Sequence, residues 1–359
     1  MKALVTGACG FIGSHMVEAL CEAGHDVVAA DLPVALAAPP EDRTRWPEVC
    51  AAAGAELVPL DVTDKDSVEN AVDGVDVAFH IAAVFDYTAP EALLRAVNVE
   101  GTRNLFEALA AGGRCKRVVN WGAGGIYGPP RPEVIPFKED APKRPSNAYL
   151  ASKWDQERLA HAYRARGLEV TSVRPTSPYG PRAVYGSGQL LIGFAERPHP
   201  VAFKNLRGNI PFVHVRDLCA VALHLATYPG ADGQAYNVTD DGRIDAIALA
   251  ELVAAEMGTT ARILPPMPLA AVRRVLSGVA RFSMASARRK GTRPLLEYDQ
   301  VQYFGRDYLY STDKLKSTGF KFRWPQPEPG LRSTLNWYLA NGWLTKRSAT
   351  PRSSRRSRG

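Results

Sequence analysis

The sequence predicts an α/β protein with a doubly wound parallel sheet, and three observations carry that prediction. Short apolar strands alternate with helical stretches through the first half of the chain. The first strand runs directly into a glycine-rich turn that opens a helix. Small and polar residues gather at the strand ends, where an open parallel sheet places its ligands.

The elements follow in order. Lys2-Ala3-Leu4-Val5 reads as a buried strand, Thr6–Gly13 as the turn, and Ser14 to Ala23 as a helix. Gly7 permits a tight turn. Gly10 removes a side chain where a pyrophosphate would approach the backbone, and Gly13 lets the helix lie close to the strand. The helix N-terminus then points free N–H groups at the phosphates. This glycine spacing is a variant of the commoner G-x-G-x-x-G dinucleotide fingerprint.

Asp26 to Asp31 is a second apolar strand ending in an acid. Asp31 is placed to accept hydrogen bonds from adenosine ribose hydroxyls and to repel a 2′-phosphate, which favours NAD over NADP. Glu56 to Leu60 is a third strand, followed by Asp61, which is suited to face the adenine amino group. Val75 to Ile81 is a fourth, ended by Ala82 and Ala83 near the nicotinamide side. Glu91 to Gly112 reads as one helix, Arg117 to Trp121 as a fifth strand, Asn147 to Ala165 as a helix and Val170 to Arg174 as a sixth strand.

The catalytic candidates are Tyr149 and Lys153. At i and i+4 they share a helix face, so both side chains reach one point. An ammonium beside a phenol favours the phenolate and brings a proton donor with an ordinary pKa near 10 towards working pH.

Composition sets the bounds. The 359 residues are 46% apolar and 23% charged, ordinary for a soluble globular protein with ample core. No apolar run has the length of a membrane span, and the first twenty residues lack a signal-peptide layout. Five scattered cysteines without a Cys-x-x-Cys pair read as reduced core thiols, with no metal site, in a cytoplasmic protein. Residues 346–359 hold six of the Lys and Arg and no acid, so the net charge of +7 falls to +1 without them. That basic tail reads as disordered, and as either a weak contact for nucleic acid or anionic membrane or a solvated end; no specific nucleic-acid binding is expected.

Taken together, the motifs resemble the extended short-chain dehydrogenase/reductases, the group of NAD-dependent epimerases/dehydratases and 3β-hydroxysteroid dehydrogenases. The resemblance rests on Thr6–Gly13, Asp31, Asp61-Val62, His80 to Ala83, Asn98 to Thr102, Ile126-Tyr127-Gly128, Tyr149 with Lys153, Arg174-Pro175, Tyr179-Gly180-Pro181, Phe212 to Asp217 and Tyr236-Asn237-Val238. It spans about residues 1–345. It implies a Rossmann-type NAD-binding domain over 1–175, with 210–240 returning to it, and a smaller substrate domain from 176–209 and 241–345. It also implies NAD contacts at Gly7, Gly10, Phe11, Ile12, Gly13, Asp31, Asp61, Val62, Ala82, Ala83, Asn98, Tyr149, Lys153 and Pro175, with Tyr149 as general acid/base and Lys153 as its partner. The helices 91–112 and 147–165 commonly pair across a homodimer in this group.

Two departures bear on function. The family places a Ser or Thr four residues before the Tyr of its Tyr-Gly pair; here that position is Ala123, and no Ser or Thr occurs from Cys115 to Pro145. Three readings follow: Thr176, Ser177 or a water fills in, the substrate supplies its own polarity, or the protein binds cofactor and catalyses slowly. The neighbouring Gly122, Gly124 and Gly125 read as space cleared for a bulky substrate or a water. Second, Ile210 stands where sugar-nucleotide members commonly carry a diphosphate-binding Arg; Arg207 and Arg306 are nearby candidates for that task, but neither aligns cleanly.

From Met257 to Leu296 there is no acid. Leu269, Val272, Leu276 and Val279 recur at helical spacing beside Arg273, Arg274, Arg281, Arg288, Arg289 and Lys290. Such a basic amphipathic helix suits a membrane surface or the roof of a hydrophobic pocket, or packs on the core with a solvated basic side. The expected function is NAD-dependent oxidation or reduction of a hydrophobic, sterol-like secondary alcohol or ketone. The alternatives are a nucleotide-sugar epimerase or dehydratase, and an NAD-binding protein with weakened catalysis.

Overall fold

The computed structural model describes residues 1–290, 294, 301 and 305–346. The basic stretch 347–359 lies outside the described residues, as does most of 291–304.

The strands are β1 (Lys2–Thr6), β2 (Asp26–Asp31), β3 (Glu56–Pro59), β4 (Val77–His80), β5 (Arg117–Trp121), β6 (Glu169–Pro175), β7 (Ser177–Tyr179), β8 (Val201–Phe203), β9 (Phe212–His214), β10 (Ala235–Val238) and β11 (Arg262–Leu264). The helices are α1 (Phe11–Glu22), α2 (Pro33–Leu36), α3 (Pro47–Ala52), α4 (Lys65–Ala71), α5 (Glu91–Leu94), α6 (Thr102–Gly112), α7 (Ala148–Ala162), α8 (Ser187–Ala195), α9 (Val215–Thr227), α10 (Ala246–Glu256) and α11 (Leu269–Lys290). A short helix Asp313–Lys316 and a longer one, Pro327–Ala340, follow.

Seven strands form one sheet in the order β10-β6-β5-β4-β1-β2-β3, every pair parallel. The order reverses between β1 and β4, which makes the crevice at their carboxyl ends the ligand site of such a sheet. The sheet is buried on both faces, because alternate residues of each strand enter different cores. Ala3, Val5, Val27 and Ala29 pack with Met16, Val17 and Leu20 of α1 and Leu218 and Val221 of α9. Leu4, Val28 and Ala30 pack on the other side with Leu105, Phe106 and Leu109 of α6. β10 pairs with β6, so residues 235–238 belong to the main sheet. A third core joins Tyr179, Leu191, Phe212, Leu249, Val253, Leu331 and Leu335 around α8 and α10.

One expectation needs correction. The helix expected over 91–112 is not uniform: Arg95–Gly101 is a π-helix between α5 and α6. A wider turn there re-aims side chains near a site, the usual place for such segments. The apolar stripe Leu269, Val272, Leu276 and Val279 of α11 also does not share one environment. Val272, Ala280 and Ala287 are buried, whereas Val279 is 51% exposed. Among the described residues, no helix is long and apolar enough to cross a membrane.

Candidate active site

The glycine-rich turn has the shape its sequence requires. Gly7 takes φ +68° and packs against Ala82, where a Cβ would come within 2.9 Å of the Ala82 Cα. A Cβ on Gly13 would stand 2.7 Å from the Ala8 Cα, so this glycine is what lets α1 lie against the turn. A Cβ on Gly10 would meet a single atom within 4 Å, the Gly7 carbonyl oxygen at 3.3 Å, and otherwise project into open space. Gly10 caps α1 without a side-chain bond, which leaves the first-turn N–H groups of Phe11, Ile12 and Gly13 outside the helical ladder. The backbone therefore offers donors to an anion at an open, Cβ-free position, and the pyrophosphate of a dinucleotide fits it.

Asp31 closes the same cradle. Its carboxylate accepts from the Cys9 N–H at 2.9 Å and the Leu32 N–H at 2.8 Å. Burial pushes its pKa up while those two N–H groups oppose the shift. Asp61 is engaged differently: its Oδ1 accepts from the N–H and hydroxyl of Thr63, at 2.9 and 2.7 Å, and so braces its own turn. Val62 is buried and fills the notch left by Gly101.

A buried polar chain runs across the sheet ends behind Ala82. Thr6 Oγ1 accepts the N–H groups of Ile81 and Ala82, both at 3.1 Å, so its own proton goes to His80 Nδ1 at 2.9 Å. His80 Nε2–H then donates to Thr102 Oγ1 at 2.7 Å, and Thr102 donates to the Asn98 carbonyl at 2.8 Å. His80 is neutral in this arrangement; burial, with the Lys153 charge adding to it, drives its pKa down to about 3. The Asn98 side chain, presented by the π-helix, accepts from the Val84 N–H at 2.8 Å and donates to Ser152 Oγ at 2.9 Å. Ser152 and Thr102 were not singled out from the sequence, although Thr102 lies four residues beyond Asn98 and Ser152 directly precedes Lys153.

Tyr149 and Lys153 stand one turn apart on α7, which is capped by Asn147, whose side chain accepts from the Leu150 N–H at 2.8 Å. Lys153 is 3% exposed, and burial lowers its pKa to about 7 against the raising effect of Glu157. Its Nζ donates to Gln156 Oε1, Gln156 Nε2 to Asn120 Oδ1 at 3.0 Å, and Asn120 Nδ2 to Ser172 Oγ at 3.1 Å. Tyr149 lies in one apolar cluster with Ala123, Ile126, Phe137 and Tyr308. Phe85 and Tyr87, from the loop after β4, meet its ring edge to face at centroid distances of 5.3 and 5.4 Å. Those two aromatics escape sequence reasoning because the loop has no period. Pro175 is buried at the end of β6, where its carbonyl faces Gly124.

Gly122 and Gly124, on either side of Ala123, do not clear space. A Cβ on Gly122 would stand 2.8 Å from Glu157 Oε2 and 3.0 Å from the Val173 carbonyl oxygen. One on Gly124 would stand 3.0 Å from the Pro175 carbonyl oxygen and 3.3 Å from Thr176 Cγ2. Both positions are filled by packing. Glu157 is held there by a buried ion pair with Arg174 at 2.6 Å. The Thr176 hydroxyl points to the Val238 carbonyl at 3.5 Å, and its methyl is the group nearest Gly124. A cavity of about 460 Å³ lined by Trp154, Glu157, His161, Arg174 and Lys314 contains none of the expected site residues.

An open parallel sheet with a dinucleotide cradle at its reversal point and a buried Tyr-Lys pair beside it defines a nucleotide-cofactor enzyme of the short-chain dehydrogenase type. The chain belongs to the NAD dependent epimerase/dehydratase family, whose profile matches residues 3–239. It is 32% identical over 52% of its length to a UDP-N-acetyl-alpha-D-glucosaminuronate decarboxylase of Bacillus cytotoxicus, and the match spans 57% of that enzyme. It is 28% identical over 88% of its length to a 3 beta-hydroxysteroid dehydrogenase/Delta 5-->4-isomerase of Mycobacterium tuberculosis, covering 84% of that protein. Among solved structures it resembles the UDP-glucose 4-epimerase of Thermus thermophilus in complex with NAD, at TM-score 0.70 and 26% identity, with 94% of this chain and 99% of that one covered.

Proposed function

We propose that this protein is an NAD-dependent oxidoreductase that interconverts a hydrophobic secondary alcohol and its ketone. The observation that carries the reading is the apolar wall at Tyr149, built by Phe85 and Tyr87 and backed by the buried Ile126, Phe137 and Tyr308. A flat hydrocarbon substrate gains from such a wall, whereas a sugar diphosphate needs fixed cationic donors. Arg207, one of the two nearby candidates for that task, is exposed and paired with Asp245 at 3.1 Å. The extended likeness to a steroid dehydrogenase supports the same reading.

Bound NAD would supply the hydride acceptor, held by the Gly7–Gly13 turn and Asp31. In the oxidation, Tyr149 takes the proton of the alcohol O–H, and the charged Lys153 stabilises the phenolate that receives it. The buried, dry surroundings of Lys153 strengthen that interaction.

The test is NADH formation on adding a panel of hydrophobic secondary alcohols to protein and NAD. Net NADH with one of them supports the reading, and Tyr149→Phe should lower kcat by about 10²–10⁴-fold with NAD binding retained. The second reading, a nucleotide-sugar epimerase or decarboxylase, draws on the relatives that act on UDP-sugars. Conversion of a UDP-sugar with no net NADH from the alcohols would favour it. NAD binding without turnover on either panel would favour a protein with weakened catalysis.

A further inference from the structure

We propose that the outer face of α11 is a docking surface for an anionic lipid bilayer. Val275, Val279 and Phe282 are 61%, 51% and 77% exposed. At about 100° per residue, they fall within an arc of about 60° on one side of the helix. They belong to a wider concentration: of the ten large apolar side chains exposed among the described residues, Ile263, Leu264 and these three all lie between 263 and 282. A folded chain rarely leaves such a stripe facing water without a use for it.

The charge on the helix selects the occupant. Residues 269–290 contain no Asp or Glu, and Arg274, Arg281 and Arg289 are exposed. Arg274 and Arg281 border the apolar stripe along one flank, while Val272, Ala280 and Ala287 anchor the helix to the protein on the other. A second copy docked stripe to stripe would bring like charges together with no acid on this helix to pair them. Nucleic acid would take the arginines and leave Phe282 in water. A bilayer with anionic headgroups accepts both, the stripe among acyl chains and the guanidinium groups at the phosphates. The helix also begins beside the active-site cluster. Leu269 packs on Gly305, three residues before Tyr308, which lies in the cluster with Tyr149. The surface rests on its own exposure and charge and does not depend on the identity of the substrate.

The experiment uses the full chain and sedimentation with vesicles of phosphatidylcholine alone or with about one-third phosphatidylglycerol. Binding should be at least about tenfold tighter to the anionic vesicles. Replacing Val275, Val279 and Phe282 together by Ser should reduce it by about tenfold or more, as should Arg274→Glu with Arg281→Glu, with NAD binding unchanged. A Phe282→Trp variant guards against misfolding of the multiple variants: its added fluorescence should shift to the blue, and be quenched by brominated acyl chains, on anionic vesicles only. Four results would each overturn the proposal. They are absence of binding to either vesicle, no response of Trp at 282, binding that survives the triple substitution and vanishes in salt (attraction by the basic stretch 347–359), and a triple variant that only dissociates a dimer.

Discussion

Lys153 donates a hydrogen bond to Gln156, three residues further along α7, and Gln156 is itself held by Asn120 at the end of β5. An amide oxygen facing an ammonium favours the charged lysine, against the burial that lowers its pKa to about 7. Gln156 thus positions Lys153 and biases its charge. If charged Lys153 grips the cofactor ribose, NAD affinity should fall as pH rises through about 7. Gln156→Leu should move that fall to lower pH and Gln156→Glu to higher pH, each by about one unit or more. Titrations of NAD across pH measure this. Weaker affinity at all pH values with an unmoved midpoint would mean that Gln156 only supports the fold.

Cofactor choice should follow Asp31. Its carboxylate is fixed by the Cys9 and Leu32 N–H groups beside the glycine-rich turn, so a 2′-phosphate would meet an oriented negative charge. NAD should bind at least about tenfold more tightly than NADP, equivalent to about 1.4 kcal/mol. Asp31→Asn keeps an acceptor and removes the charge, so it should narrow the gap mainly by improving NADP. Because burial raises the Asp31 pKa, the gap should also narrow as pH falls and the carboxyl takes up its proton. Equal affinities for the two cofactors in the unaltered protein would refute this assignment.

Stability at alkaline pH should be limited by Asp240. It is 6% exposed, its Oδ2 has no hydrogen-bond partner among the described residues, and Asp241, Glu328 and Asp217 surround it with like charge. Burial is the larger cause, and its pKa rises to about 9. Between its ordinary value near 3.9 and about 9, the folded protein holds a proton that the unfolded chain has released. Stability contributed by this proton is complete below the lower value and declines as pH rises through the window. Asp240→Asn cannot ionise, so it should melt higher than the unaltered protein at pH 8, with the difference closing towards pH 4. A gain of ~1–2 kcal/mol would be read as roughly 2–4 °C for each kcal/mol. Thermal melts across that range decide the matter, and a constant difference between the two proteins would exclude titration of Asp240 as the cause.

The sequence made the frame legible where burial leaves a period. Asp26–Asp31 and Arg117–Trp121 were read with the boundaries they have, because buried parallel strands are continuous apolar runs. The π-helix at Arg95–Gly101 left no such mark, since a change in hydrogen-bond register does not alter which residue types are present. The seating of α11 stays open in the sequence for a related reason. Apolar residues occupy more than one face of that helix, and the small Ala280 and Ala287 pack inward while the larger Val279 stays out. At the site, the glycine, acid and Tyr-Lys spacings were the legible part. Phe85 and Tyr87 depend on contacts between elements, which nothing local announces, whereas Gln156 sits three residues beyond Lys153 on the same helix and its spacing could have found it.

Ala123 provides the sharpest test of the chemistry. It is 9% exposed and shares an apolar cluster with Tyr149, and the family resemblance implies a hydroxyl at this position. The idea that this strand end is cleared for a bulky substrate or a water draws on Gly122, Gly124 and Gly125. The first two are instead packed against Glu157, Val173, Pro175 and Thr176. Without that support, the proposed mechanism makes Ala123 a single missing donor and leaves Tyr149 as the group that faces the substrate oxygen. Serine adds one oxygen to the alanine side chain, so Ala123→Ser should fit with little rearrangement. The expected result is a rise in kcat at nearly constant KM, with a ceiling of roughly 10²–10³-fold for one donor aimed at a developing oxyanion. The measurement is kcat and KM on whichever alcohol or ketone proves active. A fall in kcat with a raised KM would mean that substrate or an ordered water already fills the place, and would return the glycine-rich strand end to the role of a binding surface.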